Sequence, residues 1–296
     1  MKIVVTGNRG MLGQDLQLCL ERAAYHVQGF DLPELDITKS KEVLTCLNTT
    51  KPDVVINCAA YTAVDKAESE PAVTFAVNRD GSSNLAKTCR RLDIPLVHLS
   101  TDYVFDGRGQ RPYREDDPAN PLSVYGRSKW EGEEAIRARL PKHIIVRTSW
   151  LYGIHGKNFA KTILRLAKEQ KELRVVSDQY GCPTWTGDLA DALVAMAGQI
   201  HENPIPIPWG TYHFCGNGFT TWYDFAKAIL KQGRLFENLR AVPVVPITTA
   251  NYPTPAQRPK WSVLDCSKIK RAFNVQQRPW EEGLEAMLEE FNNAGS

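Results

Sequence analysis

"VVTGNRGMLGQDL", residues 4–16, is the stretch that decides the fold. A β-branched run ends at Gly7, and Gly10 and Gly13 follow at steps of three. Leu12, Leu16, Cys19, Leu20 and Ala23 then keep helical spacing. Only glycine lets a backbone turn tightly and approach a pyrophosphate, whose charge then sits at a helix N-terminus. Strand, glycine loop and helix in this order predict a dinucleotide site, with Gly7, Asn8, Arg9, Gly10, Met11, Leu12 and Gly13 as its candidate contacts.

The next apolar run, "HVQGFD" (26–31), ends at Asp31, 24 residues after Gly7. An acid there can bond the adenosine ribose 2′-OH and favour NAD. The guanidinium of Arg9 could pair a 2′-phosphate instead. The two signals disagree, so NADH and NADPH both stay open as cofactors. Asp36 and Ile37, after a short turn, could border the adenine, with a helix cap as the alternative.

Further runs at 54–57, 95–100, 143–149 and 173–178 are continuously apolar, as strands buried on both faces are. Helical patterns fall between or after them at 66–92, 128–139, 159–170, 188–200, 221–232 and 280–291, and Thr221 with Asp224 resembles a capping box. Alternating β and α predicts a parallel sheet with right-handed crossovers. The fold class is α/β: a Rossmann-type, doubly wound parallel sheet with a smaller, discontinuous C-terminal substrate lobe. Residues 1–149 form the first domain and 150–296 mainly the second, where Pro, Trp and Tyr become common, as in "NYPTPAQRPKW" (251–261). The strand at 173–178 and the helix at 188–200 are expected to return to the first domain.

The 296 residues are 43% hydrophobic and 24% charged, with a formal net charge of +2 and no dense Lys/Arg run, so no nucleic-acid partner is expected. No apolar segment is long enough for a signal peptide or a spanning helix, which predicts a cytoplasmic protein without a membrane. The 7 cysteines are scattered with no C-x-x-C pair, which argues against a disulfide framework or a zinc site.

"SVYGRSKWEGE" (123–133) sets Tyr125 and Lys129 one helical turn apart on one face. A free phenol has a pKa near 10, and a cation held close can lower it by roughly one to three units. Lys129 is placed to do that and to bond the nicotinamide ribose, which would make Tyr125 a proton donor beside a hydride carrier. "LVHLSTDYVFDG" (96–107) brings Ser100 and Thr101 to a strand end, where parallel sheets hold their ligands.

Taken together, these stretches resemble the extended branch of the short-chain dehydrogenase/reductase family. The resemblance implies that Thr101, Tyr125 and Lys129 are catalytic, with Thr101 bonding the substrate carbonyl. It implies that Ala59, Ala60 and Tyr61 of "NCAAYTAVDKAE" (57–68) pass beside the cofactor. Within the family it narrows to reductases of dTDP-sugars, through "SDQYGCPT" (177–184), "YPTPAQRP" (252–259) and the segments above. The implied reaction is reduction of the C4 ketone of dTDP-6-deoxy-L-lyxo-4-hexulose, with Val64, Thr101, Asp102, Tyr103, Trp150 and Arg258 lining the sugar-nucleotide site. Related 4,6-dehydratases carry Glu where Tyr103 stands, so elimination lacks its base here.

Two other readings stay open: a non-catalytic dinucleotide-binding subunit resembling the β subunit of methionine adenosyltransferase, and a reductase or epimerase of another nucleotide sugar. Some family members are homodimers bridged by a metal such as Mg2+. Asp15, with Asp188 or Asp191, could serve it, but Gly187 stands near where a carboxylate is wanted. No catalytic metal is expected.

Overall fold

The computed structural model describes residues 1–202, 207–236 and 242–294. Its first half alternates strand and helix: β1 (Lys2–Thr6), α1 (Met11–Arg22), β2 (His26–Phe30), α2 (Ser40–Thr50) and β3 (Val54–Asn57). After them come α3 (Val64–Ala67), α4 (Pro71–Phe75), α5 (Ser82–Leu92), β4 (Leu96–Thr101), α6 (Val124–Arg137) and β5 (His143–Thr148). The second half holds β6 (Leu151–Tyr152), α7 (Phe159–Glu169), β7 (Leu173–Val176), β8 (Tyr180–Gly181), β9 (Thr184–Trp185) and α8 (Thr186–Glu202). It ends with β10 (Gly210–His213), β11 (Thr220–Thr221), α9 (Trp222–Gly233), β12 (Val244–Ile247), α10 (Ser267–Phe273) and α11 (Trp280–Ala294).

Six strands form one parallel sheet in the order β10-β5-β4-β3-β1-β2. Chain order reverses between β1 and β3, and ligands of open α/β sheets bind beyond the strand ends at such a point. β3 and β4 are buried along their whole length, which accounts for their continuous apolar runs.

The expected return of 173–178 to this sheet is wrong. β7 pairs in parallel with β12, in register Leu173↔Val244, and takes no part in the six-stranded sheet. The edge beside β5 is filled by β10, with Thr211 opposite Ile145. α8 does pack along α1, where Leu189, Leu193 and Met196 join Leu12, Leu16 and Leu20 in one apolar cluster. A second cluster, with Tyr152, Ile163, Leu164, Phe225, Ile229, Trp280 and Leu284, forms the core of the other lobe. There the Thr221 hydroxyl accepts from Asp224 N at 3.0 Å and caps α9.

The single helix expected over 66–92 is broken. Pro71 cannot continue a helix and opens α4 at its first turn. A π turn over 76–81 then places Asn78 inward. Asn78 clamps both backbone groups of Tyr61 and donates to Ser128 Oγ on α6 at 2.9 Å. The irregularity ties the segment after β3 to the helix that carries Tyr125 and Lys129.

Candidate active site

The glycine loop turns at Gly7, whose φ of +73° favours glycine. A Cβ there would lie 2.5 Å from Ala59 N, and one at Gly13 would lie 2.2 Å from Gly7 O. β1, α1 and the segment after β3 therefore meet at distances no other residue allows. α1 starts at Gly10 with no side-chain cap and no acid in its first turn, leaving its N-terminal N–H groups to an anion. These features fit a dinucleotide pyrophosphate. At the end of β2, Asp31 Oδ2 accepts from Arg9 N at 3.2 Å. The Arg9 guanidinium bonds Leu32 O and pairs with Glu34.

A cavity of about 590 Å³ joins this loop to Thr101, Tyr125 and Lys129. Ser123 caps α6 by accepting from Gly126 N at 3.1 Å, and so fixes where Tyr125 begins its first turn. Burial pushes the Tyr125 phenol up to about 12, against an opposing hydrogen bond with Thr101. This departs from the expectation that Lys129 lowers it. Shared helix face does not bring the two polar ends together, because the lysine stem carries Nζ to Leu99 O at 2.6 Å and near His98 Nε2 at 3.5 Å. Burial pushes the Lys129 ammonium down to about 8.

Behind these groups, Glu133 of α6 is fully buried and forked onto Arg147 of β5, with Oε1 2.9 Å from Nε and Oε2 2.7 Å from Nη2. Burial alone would raise this carboxyl, but Arg147, Arg137 and the Ser100 hydroxyl outweigh it and hold it at about 2. The pair anchors α6 to the sheet. Nothing in the residue spacing announced it. Asp102, also buried, is pushed up to about 6 by desolvation.

Val64, Asp102, Tyr103 and Trp150 line the same cavity. Tyr103 meets the Tyr125 ring edge-on at 5.6 Å between centroids. Trp150 adopts φ +46°, an outlier for an aromatic residue, and stacks on Trp222 at 3.4 Å. A neighbouring cavity of about 420 Å³ shares Tyr103 and is lined by Phe159, Gln179, Trp222, Tyr252 and Arg258. Arg258 is held there by Asp65, with contacts of 3.0 and 2.7 Å.

Some expected contacts have other partners. Ile37 is buried against Gly81, and Asp36 Oδ1 accepts from Thr38 N at 2.9 Å in a turn before α2, whose N-cap Lys39 makes no side-chain cap bond. The Tyr61 hydroxyl donates to Glu70 at 2.6 Å, while Ala60 faces the cavity and Ala59 backs Gly7. Asn8 Nδ2 bonds Gln17 at 3.2 Å. Sequence reading passed over Thr62, Ser149 and Lys157, all on the cavity wall. Lys157 belongs to a strap over 153–158 that crosses to α1 through the pair His155–Asp15, at 3.3 Å. Asp188 pairs with Arg278 at 3.3 Å. Among the described residues no three His, Cys, Asp or Glu side chains stand close enough to hold a metal, and no helix is long and apolar enough to cross a membrane.

The fold and the site define a dehydrogenase/reductase of the extended short-chain class, built on a Rossmann-type sheet. The chain belongs to the family of the RmlD substrate binding domain, whose model matches residues 1–293. It is similar to dTDP-4-dehydrorhamnose reductase of Aggregatibacter actinomycetemcomitans, 45% identical over 285 residues that cover 96% of this chain and 97% of that one. The crystal structure of a dTDP-4-dehydrorhamnose reductase from Clostridium acetobutylicum superposes with TM-score 0.91 at 41% identity, covering 98% and 99% of the two chains. That of the Bacillus anthracis dTDP-4-dehydrorhamnose reductase in complex with NADP gives TM-score 0.89 at 39% identity, with the same coverage.

Proposed function

We propose that the protein reduces the C4 ketone of dTDP-6-deoxy-L-lyxo-4-hexulose, which is dTDP-4-dehydro-L-rhamnose, to dTDP-L-rhamnose with NADPH or NADH. The observation that carries this reading is the single cavity in which the glycine loop faces Thr101, Tyr125 and Lys129. The relatives named above act as its support in identity of substrate.

In this reading the bound dinucleotide supplies the hydride. Gly7 to Gly13 hold its pyrophosphate, Asp31 and Arg9 its adenosine ribose, and Ala59 and Ala60 its passage under β3. Lys129 bonds the nicotinamide ribose. Thr101 orients the ketone, and Tyr125 passes its hydroxyl proton to the oxygen that gains charge. Val64 and the face of Trp150 pack the sugar. The nucleotide extends past Tyr103 into the second cavity, where Arg258 has N–H groups beyond those on Asp65 to offer a diphosphate. Residues 1–149 thus act mainly on the dinucleotide and 150–296 on the sugar nucleotide. The seven free thiols suit the reducing cytoplasm.

The test is absorbance at 340 nm with enzymatically made dTDP-4-keto-L-rhamnose and either cofactor. Loss of absorbance supports the reading. No loss with NADPH or NADH rejects it.

A further inference from the structure

Beneath the cavity, hydrogen bonds fix the protonation of a buried histidine. Ala59 N donates to Asn57 Oδ1 at 3.0 Å, and the Thr6 hydroxyl bonds the same oxygen at 2.7 Å. A backbone N–H can only donate, so this atom is the amide oxygen. Asn57 Nδ2 therefore lies on the other side, 2.9 Å from His98 Nδ1. An amide NH2 also only donates, which makes Nδ1 an acceptor. His98 is fully buried, and desolvation first, then Lys129, hold it far below the usual imidazole range. Its one proton is on Nε2, which faces Lys129 Nζ at 3.5 Å.

Against an ammonium, that contact would set donor against donor. Against a neutral amine it is a hydrogen bond onto the nitrogen lone pair, while an amine N–H still serves Leu99 O at 2.6 Å. The other groups around Lys129 agree. Cys58, after β3, is pushed up to about 12 by burial and carries no charge at neutral pH. Tyr125 on α6 is neutral for the same reason. Glu133, one turn further on α6, is ionised, but two cations, Arg147 from β5 and Arg137, already face it. No unmatched anion supports a charge on Lys129.

We propose that His98 is a positioning residue: its Nε2–H, fixed by Asn57, favours the neutral amine of Lys129 over the ammonium in the ligand-free protein, and the neutral fraction takes a proton from solvent as the dinucleotide binds. The second half rests on the proposed function, in which Lys129 meets the nicotinamide ribose. The consequence is a catalytic ammonium that forms in full only where a hydride donor is in place.

The experiment uses the full chain in three readouts. Lysine 13Cε NMR of the ligand-free protein, assigned with Lys129→Met, shows Lys129 titrating near 8 and apart from the other lysines. Histidine 15N NMR shows His98 as the Nε2–H tautomer. Calorimetry of NADPH binding at pH 8, in two buffers of different ionisation enthalpy, reads uptake of about half a proton, the neutral fraction of a group that titrates at its own pKa. In Asn57→Asp the carboxylate accepts from His98 Nδ1, the tautomer reverses, and uptake falls toward zero. The proposal is overturned if His98 carries its proton on Nδ1, if Lys129 titrates with the other lysines, or if NADPH binds without proton uptake. Failure of NADPH to bind overturns the cofactor reading instead, and the two NMR readouts on the ligand-free protein then still decide the proposal.

Discussion

Thr101 Oγ1 lies 3.0 Å from Asp102 Oδ1 and, with no substrate bound, donates to that buried carboxylate. The same oxygen accepts from Tyr103 N at 3.2 Å and shares a hydrogen bond with Tyr125. Asp102 thus sets the direction of the hydroxyl that touches the phenol. Its burial has a stability consequence. Desolvation lifts the folded-state carboxyl from 3.8 to about 6, so the folded protein binds that proton more tightly than the unfolded chain. The associated stability is full below about pH 4 and is lost as pH rises through 6. Asp102→Asn escapes this loss, and its stability relative to wild type should improve by about 2 kcal/mol between pH 4 and pH 8. Urea unfolding at the two pH values measures the difference, and a constant offset would reject the reading of Asp102 as a buried acid.

Tyr125→Phe removes the proton donor and leaves the ring. The ring contacts survive, including the edge-on approach of Tyr103. The kcat should fall by about 10²–10⁴, the usual worth of a general acid. NADPH affinity, read by nicotinamide fluorescence, should change less than about threefold, because the glycine loop and Lys129 are intact. A variant with near-normal kcat would transfer the proton-donor role to another group.

Much of this was legible in sequence because it is local. Gly7, Gly10 and Gly13 follow a strand directly, and Tyr125 with Lys129 needs only the helical repeat. What lies between distant residues was not legible. Asn57 and His98 are 41 residues apart and meet only because β3 and β4 are neighbours in register. β10 is four residues of mixed polarity, GTYH, whereas β7 is the apolar-rich LRVV, so periodicity promoted the wrong one to the main sheet. Lys157 sits on an irregular strap that no periodicity marks.

Glu133 and Arg147 form a buried pair with 0% and 1% side-chain exposure. Removing one partner strands the other charge, so Glu133→Gln should cost about 3–5 kcal/mol in urea unfolding at neutral pH. Glu133 titrates at about 2 in the folded protein against 4.5 in its free form. Its contribution is therefore present above pH 4.5 and lost as pH falls from there toward 2, so wild type should destabilise in that window more steeply than the variant. A cost below about 1 kcal/mol would mean that water reaches the Arg147 guanidinium and solvates it.

Arg9 and Lys157 separate two kinds of cofactor recognition. The Arg9 guanidinium is held by Leu32 O and Glu34 at the end of β2, next to Asp31, and only NADPH has a 2′-phosphate for it to meet. Lys157 lines the cavity on the side of the glycine loop, where NADH and NADPH are chemically identical. A hydrogen bond to a charged group contributes about 1.5–3 kcal/mol, and 1.4 kcal/mol is tenfold in affinity. Arg9→Ala should therefore raise KM for NADPH by about tenfold or more and leave KM for NADH within about twofold. Lys157→Ala should weaken both cofactors by the same factor, and more at low than at high ionic strength, because its charge is exposed and screened by salt. KM for each cofactor, measured at 340 nm in both variants and at two salt concentrations, decides the matter. Equal effects of Arg9→Ala on the two cofactors would remove the 2′-phosphate from its role and leave Asp31 as the residue that chooses between them.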